Sequence, residues 1–207
     1  MGFSIKKDPD VDVNIIRYKA ILVAKGYSQR EDSVTYAPVV RYESIRIILA
    51  LVAIKDLEMA KFDVKTSFLY GDLEDEVYIE QPLGFEQKDK PGHVFKLLKS
   101  LYGLKQAPHC WNKRFVIFLM KFNFKNIYDD ECVFIGIVNG IIVYLASYVD
   151  DGLLISKCLV AIKTVLGYLE SEFKITKDEA NEFVGLEITR DRMARTLKIS
   201  QSGYRYK

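Results

Sequence analysis

Residues 141–156, I-I-V-Y-L-A-S-Y-V-D-D-G-L-L-I-S, set two adjacent aspartates between strongly apolar, β-rich runs. Burying an unpaired carboxylate is costly, so acids at the tip of a buried hairpin either face solvent in a turn or bind a cation. Asp-Asp-Gly is also ordinary turn chemistry. The segment alone leaves both readings open, with Asp150-Asp151-Gly152 as the expected turn and Leu153, Leu154 and Ile155 returning as the partner strand. A third aspartate stands in similar surroundings: Asp63, at the end of the apolar strand in M-A-K-F-D-V-K-T-S-F-L-Y-G-D-L (59–73). A strand end and a hairpin tip can meet. Three convergent carboxylates hold two hard divalent cations about 3.5–4 Å apart, an arrangement suited to phosphoryl transfer.

The remaining chain predicts mixed elements. Residues 17–26 read as a strand flanked by Lys19 and Lys25, after a polar, turn-rich opening, and 27–40 as loop. Ile45, Ile48, Leu49 and Val52 recur at helical spacing after Ser44, the expected N-cap, in a helix ending near Lys55 or Asp56. Short strands are expected at 59–64, 77–80 and 94–98, with a polar loop at 87–92. Pro108 suits a first helical turn, and Trp111, Phe115, Phe118, Leu119 and Phe122 form one apolar stripe behind it, a core face. Asn139-Gly140 between the runs 132–138 and 141–149 is the strongest short hairpin signal a sequence offers. A helix over 159–173 and strands over 183–190 and 196–200 follow. Strands and helices mixed irregularly, with several hairpins, argue for an α+β fold rather than a doubly wound sheet.

Composition narrows the chemistry. The 207 residues are 49% hydrophobic and 28% charged, which excludes disorder and fibre. The 30 Lys and Arg against 28 Asp and Glu leave a formal charge of +2, so any basic surface is local. Cys110, Cys132 and Cys158 are odd in number and widely spaced, and His93 and His109 are the only histidines. A disulfide framework or Cys/His zinc site is not expected, which leaves a catalytic metal to carboxylates. No run approaches the roughly 18 apolar residues of a membrane span, and the opening lacks a signal-peptide core. An intracellular location and no membrane partner are the expectation.

Y-V-D-D (148–151) resembles the signature of reverse transcriptases. K-A-I-L-V-A-K-G-Y-S-Q (19–29), T-Y-A-P-V-V-R-Y-E-S-I-R (35–46), F-D-V-K-T-S-F-L-Y-G-D-L-E-D-E-V-Y-I-E-Q-P (62–82), S-L-Y-G-L-K-Q-A-P-H-C-W-N (100–112), F-V-G-L-E-I (183–188) and I-S-Q (199–201) resemble the copia-type retrotransposon polymerase in order and spacing. The resemblance covers nearly the whole chain. It implies a right-hand polymerase: fingers mainly over 1–56, and a ferredoxin-like palm with an antiparallel sheet mainly over 57–190. Residues 65–108 would return in part to the fingers, and the thumb would be largely absent from a chain ending at Lys207. It also implies RNA-directed DNA synthesis, in which Asp63, Asp150 and Asp151, with the Val64 backbone, hold two Mg²⁺ or, alternatively, Mn²⁺. A primer 3′-hydroxyl then attacks the α-phosphate of a deoxynucleotide, and pyrophosphate leaves.

The same resemblance implies roles residue by residue. Phe68 matches the aromatic gate against a ribose 2′-hydroxyl, where a core phenylalanine is the alternative. The Thr66 and Ser67 backbone would approach the triphosphate, and Tyr102, Gly103 and Lys105 would line the nucleotide pocket, with a solvated charge as the alternative for Lys105. Phe183, Val184 and Gly185 would grip the primer or belong to a strand core. Tyr148 would meet nucleic acid, and Lys19 and Lys25 would meet phosphate or simply be solvated. His109 and Cys110 lack a third catalytic partner, Trp111 reads as core, and nothing in the spacing of Tyr27, Tyr36 and Tyr42 demands base stacking.

Expected partners are an RNA or DNA template-primer, deoxynucleotides and the remainder of a Pol polyprotein, integrase upstream and ribonuclease H downstream, in cytoplasmic virus-like particles. Two departures touch the fingers: Ile21 stands where the family usually has Arg, and loop 30–36 is shorter than usual. Metal binding with weak processive synthesis is the expectation, and a silent remnant that at most binds nucleic acid is the competing one. An aspartate-dependent phosphotransferase would need its Asp after a parallel strand, which the hairpin around Gly152 disfavours.

Overall fold

The structure is a computed structural model describing residues 2–7, 15–29 and 35–204, with side chains described for 21–29 and 35–203. In chain order the elements are β1 (Gly2–Lys7), β2 (Ile15–Ile21), α1 (Tyr42–Lys55), β3 (Glu58–Val64), β4 (Tyr78–Glu80), β5 (Val94–Lys96), α2 (Ala107–Lys121) and β6 (Lys125–Asn126). There follow β7 (Val133–Val138), β8 (Ile141–Tyr148), β9 (Asp151–Ser156), α3 (Leu159–Glu170), β10 (Ile175–Asp178), β11 (Glu182–Phe183), β12 (Leu186–Asp191) and β13 (Thr196–Ser200). Every strand pair among them is antiparallel, so the mixed architecture with antiparallel sheets is as expected.

Two compact units form, each from two chain segments: Met1–Ala37 with Phe68–Arg114, and Pro38–Ser67 with Phe115–Lys207. The expected division at residue 56 differs, because α1 belongs to the second unit: its buried stripe Ile45, Ile48, Leu49 and Val52 joins the core of that unit.

In the first unit β1 and β2 form one hairpin and β4 and β5 another. A small core gathers Val77, Leu104 and Ala107, with Phe68, Leu73 and Leu101 against it. Gly103 adopts φ 88°, and a Cβ there would stand 2.2 Å from the Ala24 carbonyl oxygen. The bare backbone lets Ala24 donate its N–H to Tyr102 at 2.7 Å.

The second unit is built on a six-stranded sheet in the order β10-β3-β9-β8-β7-β6. Alternation along β3 sends Phe62 and Val64 to one face, where Phe62 meets Phe115 of α2 and Phe115 and Phe118 meet Phe173. The opposite core carries α1, Leu153, Ile155 and the β11-β12-β13 sheet. Asn139 and Gly140 take φ 51° and 77°, as the type I′ turn between β7 and β8 requires.

Several expectations shift. Helix α1 begins at Tyr42 with Arg41 as N-cap, so Ser44 lies inside the first turn instead of capping. The cap comes from a distant acid: Asp130 accepts hydrogen bonds from the Arg41 N–H at 3.0 Å, the Ser44 hydroxyl at 2.6 Å and the Cys132 N–H at 2.9 Å. With Asp130 only 5% exposed, its replacement leaves the buried Cys132 N–H and the half-buried Ser44 hydroxyl without that partner. Asp130→Ala is expected to cost about 2–3 kcal/mol, read as a lower denaturant midpoint with an unchanged slope. Unaltered unfolding would refute this role. The strand expected over 183–190 is split by a two-residue turn at Val184-Gly185, and β1 and β10 form where no strand was expected. Residues 30–34 of the shortened loop lie outside the described residues. Among the described residues no helix is long and apolar enough to cross a membrane.

Candidate active site

Strand register brings the three aspartates together within the second unit. Asp63, near the end of β3, pairs across strands with Asp151, the first residue of β9, and Tyr148 pairs with Asp151 from the other side. The hairpin turn is therefore Val149-Asp150, one residue earlier than the Asp150-Asp151-Gly152 expected. Gly152 belongs to β9, where the ring of Phe62 occupies the space a side chain would need. The Val64 N–H donates to the Asp150 carbonyl at 2.8 Å and ties the turn to β3.

Backbone strain marks the same place. Non-glycine residues at positive φ among those described are Asp56, Thr66, Asn123, Asn139, Val149, Val184 and Arg195. For β-branched residues this conformation is a true outlier, and it persists only where the surroundings enforce it. The three β-branched members are Thr66, Val149 and Val184. Thr66 follows Asp63 by three positions, Val149 precedes Asp150, and Val184 sits at the tip of the β11-β12 hairpin.

Charge is concentrated there too. Burial pushes the Asp150 carboxyl above its ordinary range, and the negative charges of Asp151 and Asp63 push the same way, against a backbone hydrogen bond and Lys65. Lys65 Nζ is ion-paired with Asp63 Oδ1, and Lys61 Nζ lies 3.2 Å from Asp151 Oδ1. Thr176 of β10 reaches Asp63 Oδ1 at 3.5 Å. Among the described residues, no three His, Cys, Asp or Glu side chains already form a metal cage. Three carboxylates, one at the end of β3, one in the adjoining turn and one at the start of β9, thus gather at one end of the sheet, and lysines stand against two of them.

The other expected residues distribute as follows. Ser67 is buried, and its hydroxyl has no partner among the described residues. Thr66 is exposed and donates to the Lys65 carbonyl at 2.7 Å. In the first unit Phe68 is half-buried and meets Tyr102 edge-on, centroids 5.0 Å apart. Lys105 donates its N–H to Gln29 Oε1 and its Nζ to the Gln29 carbonyl, both at 3.1 Å. Lys25 is exposed, and the side chain of Lys19 lies outside the described residues. Tyr148 packs against the core of the second unit, and Phe183 is fully buried in it, so the core alternative holds for that side chain. What the hairpin presents is its tip: Gly185 is exposed, and the Val184 carbonyl accepts from the Tyr42 hydroxyl at 3.0 Å.

Trp111 is buried beside Tyr70, and His109 Nδ1 lies 2.9 Å from the Tyr36 carbonyl oxygen. Burial raises the thiol pKa of Cys110, and that of Cys132 to about 12, so neither serves as a ready nucleophile.

Three residues escaped the reading of the sequence. Lys61 shares a face of β3 with Asp63, a relation legible in their period of two, and Lys65 is the first residue past the strand end. Gln106 is 3% exposed, accepts from Gln29 Nε2 at 2.9 Å, and keeps an Nε2 without a partner among the described residues. An amide at the apolar start of α2 was the available signal.

The profile of the family described as reverse transcriptase (RNA-dependent DNA polymerase) matches residues 3–207. The retrovirus-related Pol polyprotein from transposon TNT 1-94 of Nicotiana tabacum is 44% identical over 209 residues, covering 98% of this chain and 15% of the polyprotein. The Pol polyprotein from transposon RE2 of Arabidopsis thaliana is 38% identical over 206 residues, covering 98% of this chain and 14% of its own length. This chain thus spans about one seventh of those relatives. Among solved structures, apo telomerase from Candida tropicalis, truncated from its C-terminal domain, aligns with a TM-score of 0.41 at 14% identity over 78% of this chain and 40% of that one. That likeness adds nothing to the sequence matches, which stand by themselves: the chain belongs to the reverse transcriptase (RNA-dependent DNA polymerase) family, as it occurs in the Pol polyproteins of copia-type retrotransposons.

Proposed function

We propose that this chain is the RNA-directed DNA polymerase module of such a polyprotein, transferring deoxynucleotides to a primer 3′-hydroxyl on an RNA or DNA template. The observation that carries the reading is the register that sets Asp63 opposite Asp151 with Asp150 at the adjoining tip. In this reading the second unit is the palm and the first the fingers, and template-primer, deoxynucleotides and the remaining polyprotein domains are partners. The parent element would copy itself in cytoplasmic particles.

Asp63, Asp150, Asp151 and the Val64 carbonyl would hold the divalent ions. Two Mg²⁺, when bound, make the primer hydroxyl a better nucleophile and neutralise charge on the departing pyrophosphate. The protein supplies position. The strained Val149-Asp150 turn, tied to Val64, holds the acids at fixed separation, so little reorganisation remains for the reaction itself. Phe68, braced by Tyr102, would exclude a 2′-hydroxyl, while the Thr66-Ser67 backbone, Tyr102, Gly103 and Lys105 would meet the nucleotide. Lys25 and the hairpin tip at Val184-Gly185 would contact the nucleic acid backbone.

The test is extension of a DNA primer on an RNA template with Mg²⁺ and deoxynucleotides. Extension by this chain is expected to be short, because Ile21 removes a cation from β2. The same departure favours a second reading, a silent remnant that binds nucleic acid. Product formation that depends on Asp150 and Asp151 would exclude the remnant, and binding without synthesis would support it.

A further inference from the structure

We infer that Lys65 is a built-in counter-cation of the carboxylate site, displaced from Asp63 whenever a divalent ion binds, so that the chain's own lysines set its metal affinity. The inference rests on the metal reading above and adds a residue to it.

Three observations carry it. First, the placement follows from the strand and its end: Lys61 and Asp63 alternate with Phe62 and Val64, each 1% exposed, and Lys65 is the first residue past the strand, so the two lysines flank Asp63 in the chain. Second, each lysine engages a different acid, Lys65 with Asp63 and Lys61 with Asp151. Two of three repelling carboxylates are thereby compensated within the protein. Third, the backbone of Lys65 is anchored, while its side chain, held by Asp63 alone among the described acids, is half-exposed. Its N–H donates to the Lys174 carbonyl at 2.8 Å and its carbonyl accepts from Thr66 Oγ1. The Lys65 side chain is 41% exposed, against 23% for Lys61.

An ammonium on a flexible stem can leave for water without disturbing the strand. A half-exposed ion pair is a weak competitor, since solvent screens it, so a divalent ion can take the same oxygen. Lys61 is the more enclosed of the two and stays beside Asp151. The arrangement offsets part of the repulsion among the acids, and it makes Lys65 a positioning residue with an effect on binding that is separable from catalysis.

The test is Mn²⁺ binding to the whole chain, followed by the resonance signal of free Mn²⁺, beside thermal unfolding with and without Mn²⁺. Lys65→Gln is expected to bind Mn²⁺ about three- to tenfold more tightly. It should melt below the parent without metal and gain more than the parent when Mn²⁺ is added. Lys177→Gln removes an ion pair with Glu170 in the same unit and should leave the affinity unchanged. Equal or weaker binding by Lys65→Gln overturns the inference. So does a melting deficit that is the same with and without Mn²⁺, or equal tightening in Lys177→Gln. Binding by the parent that Asp150→Asn/Asp151→Asn removes but Lys65→Gln leaves unchanged overturns this inference alone. No binding by either the parent or Lys65→Gln overturns the metal reading with it.

Discussion

Asp150→Asn/Asp151→Asn is expected to lower primer extension by at least about 10³-fold while the chain stays folded. Charge stabilisation by metal ions is worth several kcal/mol in the transition state, and each 1.4 kcal/mol is a factor of ten. An amide is a poor ligand for a hard cation where a carboxylate was needed. The fold should survive because Asp150 is an acid the fold tolerates rather than uses. Burial raises its carboxyl above the ordinary value, with Asp151 and Asp63 adding to the shift. A raised folded-state value means the native state favours the protonated form. That contribution is complete below the unfolded value and is lost as pH rises through the raised one. At neutral pH the parent carries the cost of the ionised form, which the neutral amide at 150 does not. Asp150→Asn by itself should therefore melt no lower than the parent at neutral pH, with its relative advantage shrinking towards acid pH. Loss of synthesis accompanied by loss of the folding transition would instead assign these residues to structure. Undiminished synthesis would end the catalytic assignment.

Gly152→Ala should destabilise the second unit by about 2–4 kcal/mol, through overpacking rather than through any turn requirement. A Cβ at Gly152 would stand 2.0 Å from Cζ and 2.3 Å from Cε1 of Phe62. That ring is enclosed, with Phe115 beside it, so it has little space to retreat into. Because Gly152 follows Asp151 and pairs with Phe62, any shift of β9 also moves Asp151 against Asp63, and synthesis should fall along with stability. Trimming the ring offers a direct check. In the Gly152→Ala background, Phe62→Leu should cost far less than it does in the parent, the signature of two sites sharing one space. Strictly additive effects of the two changes would show that the ring is not the obstacle.

The same glycine shows where local sequence misleads. Asp-Asp-Gly has the composition of a turn, and a β-branched residue is a poor candidate for positive φ, so the turn was expected one residue late. The structure places Val149 at φ 56° because Tyr148 and Asp151 pair and leave two residues to close the chain. The split at Val184-Gly185 was hidden for the same reason: valine at φ 51° is no signal a sequence pattern offers. Strand β10, I-T-K-D, was missed because it lies at the edge of the sheet and is mostly exposed, so it carries no apolar alternation. The helix stripes, the Asn139-Gly140 hairpin and the apolar runs of β8 and β9 were legible because burial imposes a short-range period on each. The start of α1 was not, since its capping acid, Asp130, lies 86 positions from Ser44.

From the residues alone came the three aspartates, the α+β character of the fold with its hairpins, and the apolar strand at whose end Asp63 stands. All follow from periods of two or 3.6 that a single segment carries within itself. Only the tertiary structure decided which strand lies beside which: that Asp63 faces Asp151, that Lys65 holds Asp63 and Lys61 holds Asp151, and that Phe183 is core. A local pattern says which way a side chain points. It cannot say what it will meet, because register is settled by distant packing such as the ring of Phe62 against the bare backbone of Gly152.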